Sequence, residues 1–127
     1  KITVEISAGE LLDKISILEI KLKKTKDKYS QEEINKEYKM LKSAQNSHIK
    51  LTDKIEELFK TLKETNLKLW QIEDELRACE KNKDFGKNFI ELARGVYLNN
   101  DKRSKTKLEI NTLLGSNIKE IKLYADY

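Results

Sequence analysis

The chain contains no proline, and none of its four glycines lies between residues 9 and 86. Nothing in that stretch forces a helix to end. Cysteine occurs once, at Cys79, which excludes an intrachain disulfide. The thiol reads as a small hydrophobe on an apolar seam and is compatible with a reducing, cytoplasmic compartment. Histidine also occurs once, at His48, so histidine-ligated zinc sites and Ser-His-Asp or Cys-His catalysis have no support. No apolar run approaches the roughly 20 residues that span a bilayer, and no signal-peptide pattern is present. Walker A, Rossmann glycine and nucleophile-elbow motifs are missing as well.

What remains is a helical pattern in 127 residues, a length that suits one domain over 1–127. Apolar residues make up 38% and charged residues 38%, a balance that excludes a disordered chain. The net charge of +4 is the difference between 26 basic and 22 acidic residues. Interspersed charge of this kind is the surface of solvated helices, and with no basic block or stacking motif nucleic acid is not an expected partner.

Residues 2–6, Ile-Thr-Val-Glu-Ile, alternate in the manner of one short strand, which alone has little to pair with. Ser7-Ala-Gly-Glu10 is a capping box, and Leu11, Ile15, Leu18 and Leu22 give a helix over about 8–26. Ser30-Gln-Glu-Glu33 is a second box. From Ile34 a heptad-like seam runs through Leu41, Ala44, His48, Leu51, Ile55, Leu58, Leu62, Thr65, Leu69, Ile72 and Leu76 to Cys79. One helix that long would measure roughly 75 Å, against a radius of gyration of about 14 Å for a compact globule. The helix therefore breaks, at Asn46-Ser47, or the molecule is elongated and buries its seam in a second copy. Asp84 is a candidate N-cap for a helix carrying Phe85, Phe89, Leu92 and Val96. That stripe fails between Asn99 and Lys107, where a loop with Asp101 as a cap is an alternative to continuous helix. It resumes at Ile110, Leu113 and Leu114. Gly115-Ser116 reads as a C-cap followed by an N-cap, and Ile118, Ile121 and Leu123 as a short amphipathic tail. The expected fold is all-α: an elongated bundle or hairpin on a long heptad-patterned helix, with at most one short strand.

Polar residues gather in three places. Asn66, Trp70, Glu73, Arg77 and Glu80, with Asp74 beside them, form a stripe flanking the seam. Arg94, Tyr97, Asn100, Asp101, Arg103, Ser104 and Lys107 form a second group. Glu10, Asp13, Lys14 and Lys21 surround the first helix's apolar face. Only three of the 26 basic residues are arginine, and all three (Arg77, Arg94, Arg103) fall in these groups. A planar bidentate donor suits a carboxylate or phosphate, although inter-helix salt bridges would use the same residues. Glu10 and Asp13, with Glu73, Asp74 and Glu80, are carboxylates that could form a Mg²⁺ site, and no other cofactor is indicated.

Several of these segments resemble one family. Ser7-x-Gly9-Glu10-Leu11-x-Asp13-Lys14 leading to Ile17-Leu18-Glu19-Ile20-Lys21 is similar to the opening of domain of unknown function 6165. So are Asn66-x-x-Leu69-Trp70-x-Ile72-Glu73-Asp74-x-x-Arg77 and Phe89-Ile90-x-Leu92-Ala93-Arg94-x-Val96-Tyr97-x-x-Asn100-Asp101-x-Arg103. The closing run Lys107-x-x-Ile110-Asn111, Gly115-Ser116 and Glu120-x-Lys122-x-Tyr124 is similar too. The resemblance covers nearly the whole chain except roughly 25–60. It implies a bacterial or tailed-phage source, with a bacterial or host cytoplasm as the setting, and it carries no catalytic residues across.

Two functions are expected from these features. The first is a dimerising helical module that binds a protein partner or small anionic ligand through Lys14, Trp70, Asp74, Arg77, Arg94, Tyr97, Asn100, Asp101, Arg103 and Lys107. The second is a small helical enzyme acting on a phosphorylated or carboxylated metabolite such as a nucleotide or sugar, with Glu10 or Glu73 as acid or base. Both require Lys14, Arg77, Arg94 and Arg103 to surround one recess.

Overall fold

Three of the four helices begin at a side chain that accepts from a first-turn amide. The computed structural model describes residues 1–127 and contains α1 (Ala8–Lys24), α2 (Lys28–His48), α3 (Asp53–Lys81) and α4 (Lys87–Leu114), with no strand. Ser7 caps α1, its Oγ accepting from the Glu10 amide at 3.1 Å. Asp27, three residues before the predicted box at Ser30, caps α2 by accepting from the Ser30 amide at 2.7 Å. Thr52 caps α3, with Asp53 and Glu56 placing negative charge in its first turn. Asp84 is displaced from its predicted role: α4 starts after Gly86, and Asp84 Oδ1 accepts from the Gly86 amide. Gly115 ends α4 in the left-handed region at φ +63°, as its C-cap reading requires.

The long seam does break, but at Ile49–Thr52; Asn46 and Ser47 remain helical. On α3 every seam position from Ile55 to Cys79 is buried or half-buried. The α3 seam is thus covered within one chain and needs no second copy. His48 is exposed, so it does not pack as a seam residue.

α1 is the only helix close to all three others, and α2 comes close to α1 alone. α3 and α4 form an antiparallel hairpin, with Lys54 near Glu109 at one end and Cys79 near Asn88 at the other. Gly95 permits their close approach, since a Cβ there would lie 3.0 Å from Ile72 Cδ1. The core joins Leu11, Leu12 and Ile15 of α1 to Ile55, Leu58 and Leu62 of α3 and Ile110 of α4. With 17 residues α1 spans about 25 Å, against about 43 Å for the 29 residues of α3. The far end of the hairpin extends past α1, and Phe85 and Phe89 close its tip edge to face. No helix is long and apolar enough to cross a membrane.

Three local expectations are corrected. Residues 1–6 form no strand, because the chain offers them nothing to pair with. Residues 99–107 are continuous helix, their polarity explained by the charged face of α1 they meet. The tail after Ser116 is not helical; it runs back along α4, where Glu120 accepts from Lys107 and Tyr127 donates to Asp101.

Candidate functional site

Asp13 and Ser16 lie one turn apart on α1, and Arg103 and Lys107 one turn apart on α4. Where these turns cross, Asp13 is only 1% exposed, so its charge requires partners. Arg103 supplies a fork, Nε at 3.0 Å from Oδ1 and Nη2 at 2.5 Å from Oδ2. Asn66 of α3 donates to Asp13 Oδ1 and to Ser16 Oγ, both at 2.8 Å. Ser16 in turn donates to the Asp13 carbonyl. Lys107 Nζ donates to Glu10 at 2.6 Å and lies 3.6 Å from Asp13. The remaining Arg103 nitrogen donates to Asn100 at 3.4 Å.

This network shifts acidities in opposite directions. Burial pushes the Asp13 carboxyl up, but hydrogen bonds from Arg103 and Asn66, with the charges of Arg103 and Lys107, hold it below its usual value. Burial pulls Lys107 down, but the bond to Glu10 and the charges of Asp13, Glu10 and Glu120 outweigh it and raise the ammonium. In the unfolded chain these groups titrate near 3.9 and 10.4. The Asp13 contribution to stability is therefore full above about pH 4 and lost as pH falls through the lower folded value. That of Lys107 is full below about pH 10 and lost as pH rises through the higher folded value. Thermal midpoints measured across pH should show a plateau with a falling edge on each side. An acid edge unchanged by Asp13→Asn would show that Asp13 is not what titrates there.

The same helix crossing fastens the start of α1. The amides of Ala8, Gly9 and Glu10, which have no partner within the helix, all find side-chain acceptors: Ala8 N at Ser116 Oγ, Gly9 N at Asn111 Oδ1 and Glu10 N at Ser7 Oγ. Ser116, predicted to cap a following helix, instead caps α1. Gly9 is required by proximity, since a Cβ there would lie 2.5 Å from the Lys107 carbonyl oxygen and 2.8 Å from Asn111 Oδ1.

Beyond the network, between the second half of α1 and the α3–α4 hairpin, lies an open recess of about 360 Å³. Ile17, Ile20 and Leu69 form its apolar side, and Asn66, Trp70, Glu73, Asp74, Arg77 and Arg103 bring the polar groups. Arg103 reaches it already oriented by Asp13. Arg77 is the one arginine with no acidic partner within salt-bridge distance. Trp70 also borders a second recess with Lys21, Lys24 and Tyr29, and the Lys24 ammonium lies 5.8 Å from its ring centroid.

Of the four cations expected around one recess, only Arg77 and Arg103 meet there. Lys14 is exposed and 3.9 Å from Glu10. Arg94 is exposed and paired with Glu91, because nine residues of helix turn it about 180° from Arg103. Tyr97 and Asp101 hold the tail through Tyr127, and Asn100 and Lys107 belong to the network. Among the carboxylates considered for Mg²⁺, Asp13 and Glu10 are engaged by Arg103 and Lys107, while Glu73 and Glu80 are exposed on α3. No three acidic, histidine or cysteine side chains come together to hold a metal. Ser16, Asn111 and Ser116 were missed as site residues; the only signal for Ser16 was a hydroxyl between Ile15 and Ile17 on a buried face.

The model of a family of unknown function (DUF6165) matches residues 2–126. Comparison with curated proteins and with solved structures gives no match.

Proposed function

The chain belongs to the family of unknown function DUF6165, and we propose that it is a non-enzymatic helical module that binds a small anionic ligand beside Trp70. The observation that carries this reading is Arg77, a guanidinium without an acidic partner at the rim of a recess it shares with the only tryptophan. Arg103, oriented by Asp13, adds the N–H groups that Asp13 and Asn100 leave free. Glu73 and Asp74 on the same rim disfavour a bare polyanion. They suit a ligand that pairs one anionic group with an ammonium or hydroxyl donors. Homo-oligomerisation belongs to the same reading, supported by large apolar residues left exposed at both chain ends, Ile2, Val4, Ile121 and Leu123 among them.

Phosphoserine and inorganic phosphate are suitable probes, read by Trp70 fluorescence and by thermal shift. Phosphoserine should change the fluorescence, and Arg77→Ala should weaken its binding at least about tenfold, the loss of a charge-assisted bidentate contact. The thermal midpoint of the free variant should not move, because Arg77 makes no salt bridge. Binding that survives Arg77→Ala unchanged, or no response from either probe, overturns the reading. A catalytic role is less well supported: of the two candidate acid or base residues, Glu10 is held by Lys107, and Glu73 remains beside the recess.

A further inference from the structure

Residues 2–6 combine β-branched residues, strict alternation and exposure, yet none of the backbone hydrogen bonds involves residues 1–6. Ile2, Val4 and Ile6, which strand geometry would set on one side, are 93%, 71% and 40% exposed. At the root of the segment, where α1 begins and α2 and α4 end, lies an open recess of about 660 Å³. Its apolar lining includes Val4, Ile6, Leu11, Leu41, Ile49 and Leu114. Ser7, buried and capping α1, fixes where the segment leaves the bundle.

A segment with strand chemistry and no backbone partner among residues 1–127 can find one in a second copy. We propose that residues 2–6 form an arm that pairs antiparallel with the same arm of a second copy. The paired arms would lay their apolar sides over the two recesses. The sequence is self-complementary about Val4. In that register Ile2 faces Ile6 of the partner subunit and the two Val4 residues face each other. Thr3 faces the partner's Glu5 on the opposite side of the ribbon. No like charges are opposed, and a hydroxyl meets each carboxylate. Such a two-fold contact uses one patch on both copies and closes on itself. A two-stranded ribbon alone is marginal in water, so the recess beneath it is an essential part of the interface.

This inference deepens the homo-oligomer part of the proposed function and is independent of its ligand part, which lies beside the other end of α1. Light scattering behind size exclusion, across micromolar to millimolar concentrations of the full chain, tests it. The wild type should approach the dimer mass. Val4→Pro removes the central amide while tolerating extended backbone, and it should be a monomer with an unchanged thermal midpoint at low concentration. Val4→Cys should cross-link spontaneously to a covalent dimer, since the two positions lie opposite each other; Thr3→Cys should do so far less. A monomer at every concentration overturns both the arm and the oligomer. A dimer that persists in Val4→Pro, or equal cross-linking at both positions, overturns the arm alone.

Discussion

Arg103→Met is expected to destabilise the fold by about 3 kcal/mol at neutral pH, the largest effect of any single side chain outside the apolar core. The substitution leaves Asp13 ionised and buried with only Asn66 and a more distant Lys107. Removing one partner of a buried pair costs roughly 3–5 kcal/mol, far more than the pair contributes over an apolar replacement. For a chain of this size that corresponds to a fall in thermal midpoint of roughly 10 °C. The double variant Asp13→Leu/Arg103→Met should recover more than half of the loss, because no charge is then left without a partner. The deficit of the single variant should also shrink in acid, because Asp13, still buried but without Arg103 to hold its carboxyl low, takes up a proton more readily than in the wild type. Urea unfolding of wild type, both single variants and the double variant measures all of this. A double variant no better than the worse single one would show that packing, rather than charge, dominates the site.

Gly9→Ala is the second large effect. In a helix this change normally stabilises by up to about 1 kcal/mol. Here the added Cβ would meet the backbone oxygen of Lys107, which cannot swing aside as a side-chain tip could. Either α1 moves off α4, or the Asn111 bond to the Gly9 amide is given up. A net loss of about 2–3 kcal/mol is expected, as for other overpacked interiors. Gly86→Ala is the control, since its nearest neighbour would be Asp84 Oδ1 at 3.5 Å, and it should be close to neutral. Equal midpoints for the two variants would mean that α1 and α4 tolerate separation at this point.

Much of this architecture is readable from periodicity, and the misses have physical causes. The seam from Ile55 to Cys79 is buried as its spacing demands, because repeated apolar positions on one helix face have only one way to leave water. The break before α3 fell a few residues late because Asn46 and Ser47 are tolerated inside a helix. The better signal was Thr52 followed by Asp53 and Glu56, an N-cap with acidic first-turn residues. The polar run from Asn99 to Lys107 resembled a loop only because its buried side faces carboxylates instead of leucines. The pairing of Arg103 with Asp13 joins residues 90 apart and leaves no local trace. Arg77 and Trp70 were legible as a stripe, whereas Arg94 was grouped with Arg103 although helical geometry sets them on opposite faces.

The contacts of Ala8 and Gly9 with Ser116 and Asn111 also bear on how the chain reaches its native state. During synthesis the first helix emerges with two of its amides still waiting for acceptors more than a hundred residues downstream. The α3–α4 hairpin is local and is free to zip early, but the entropy of closing so long a loop is recovered only at the end. A nascent chain cut short before Asn111 would hold every apolar residue of α1 and still lack the groups that fasten its first turn.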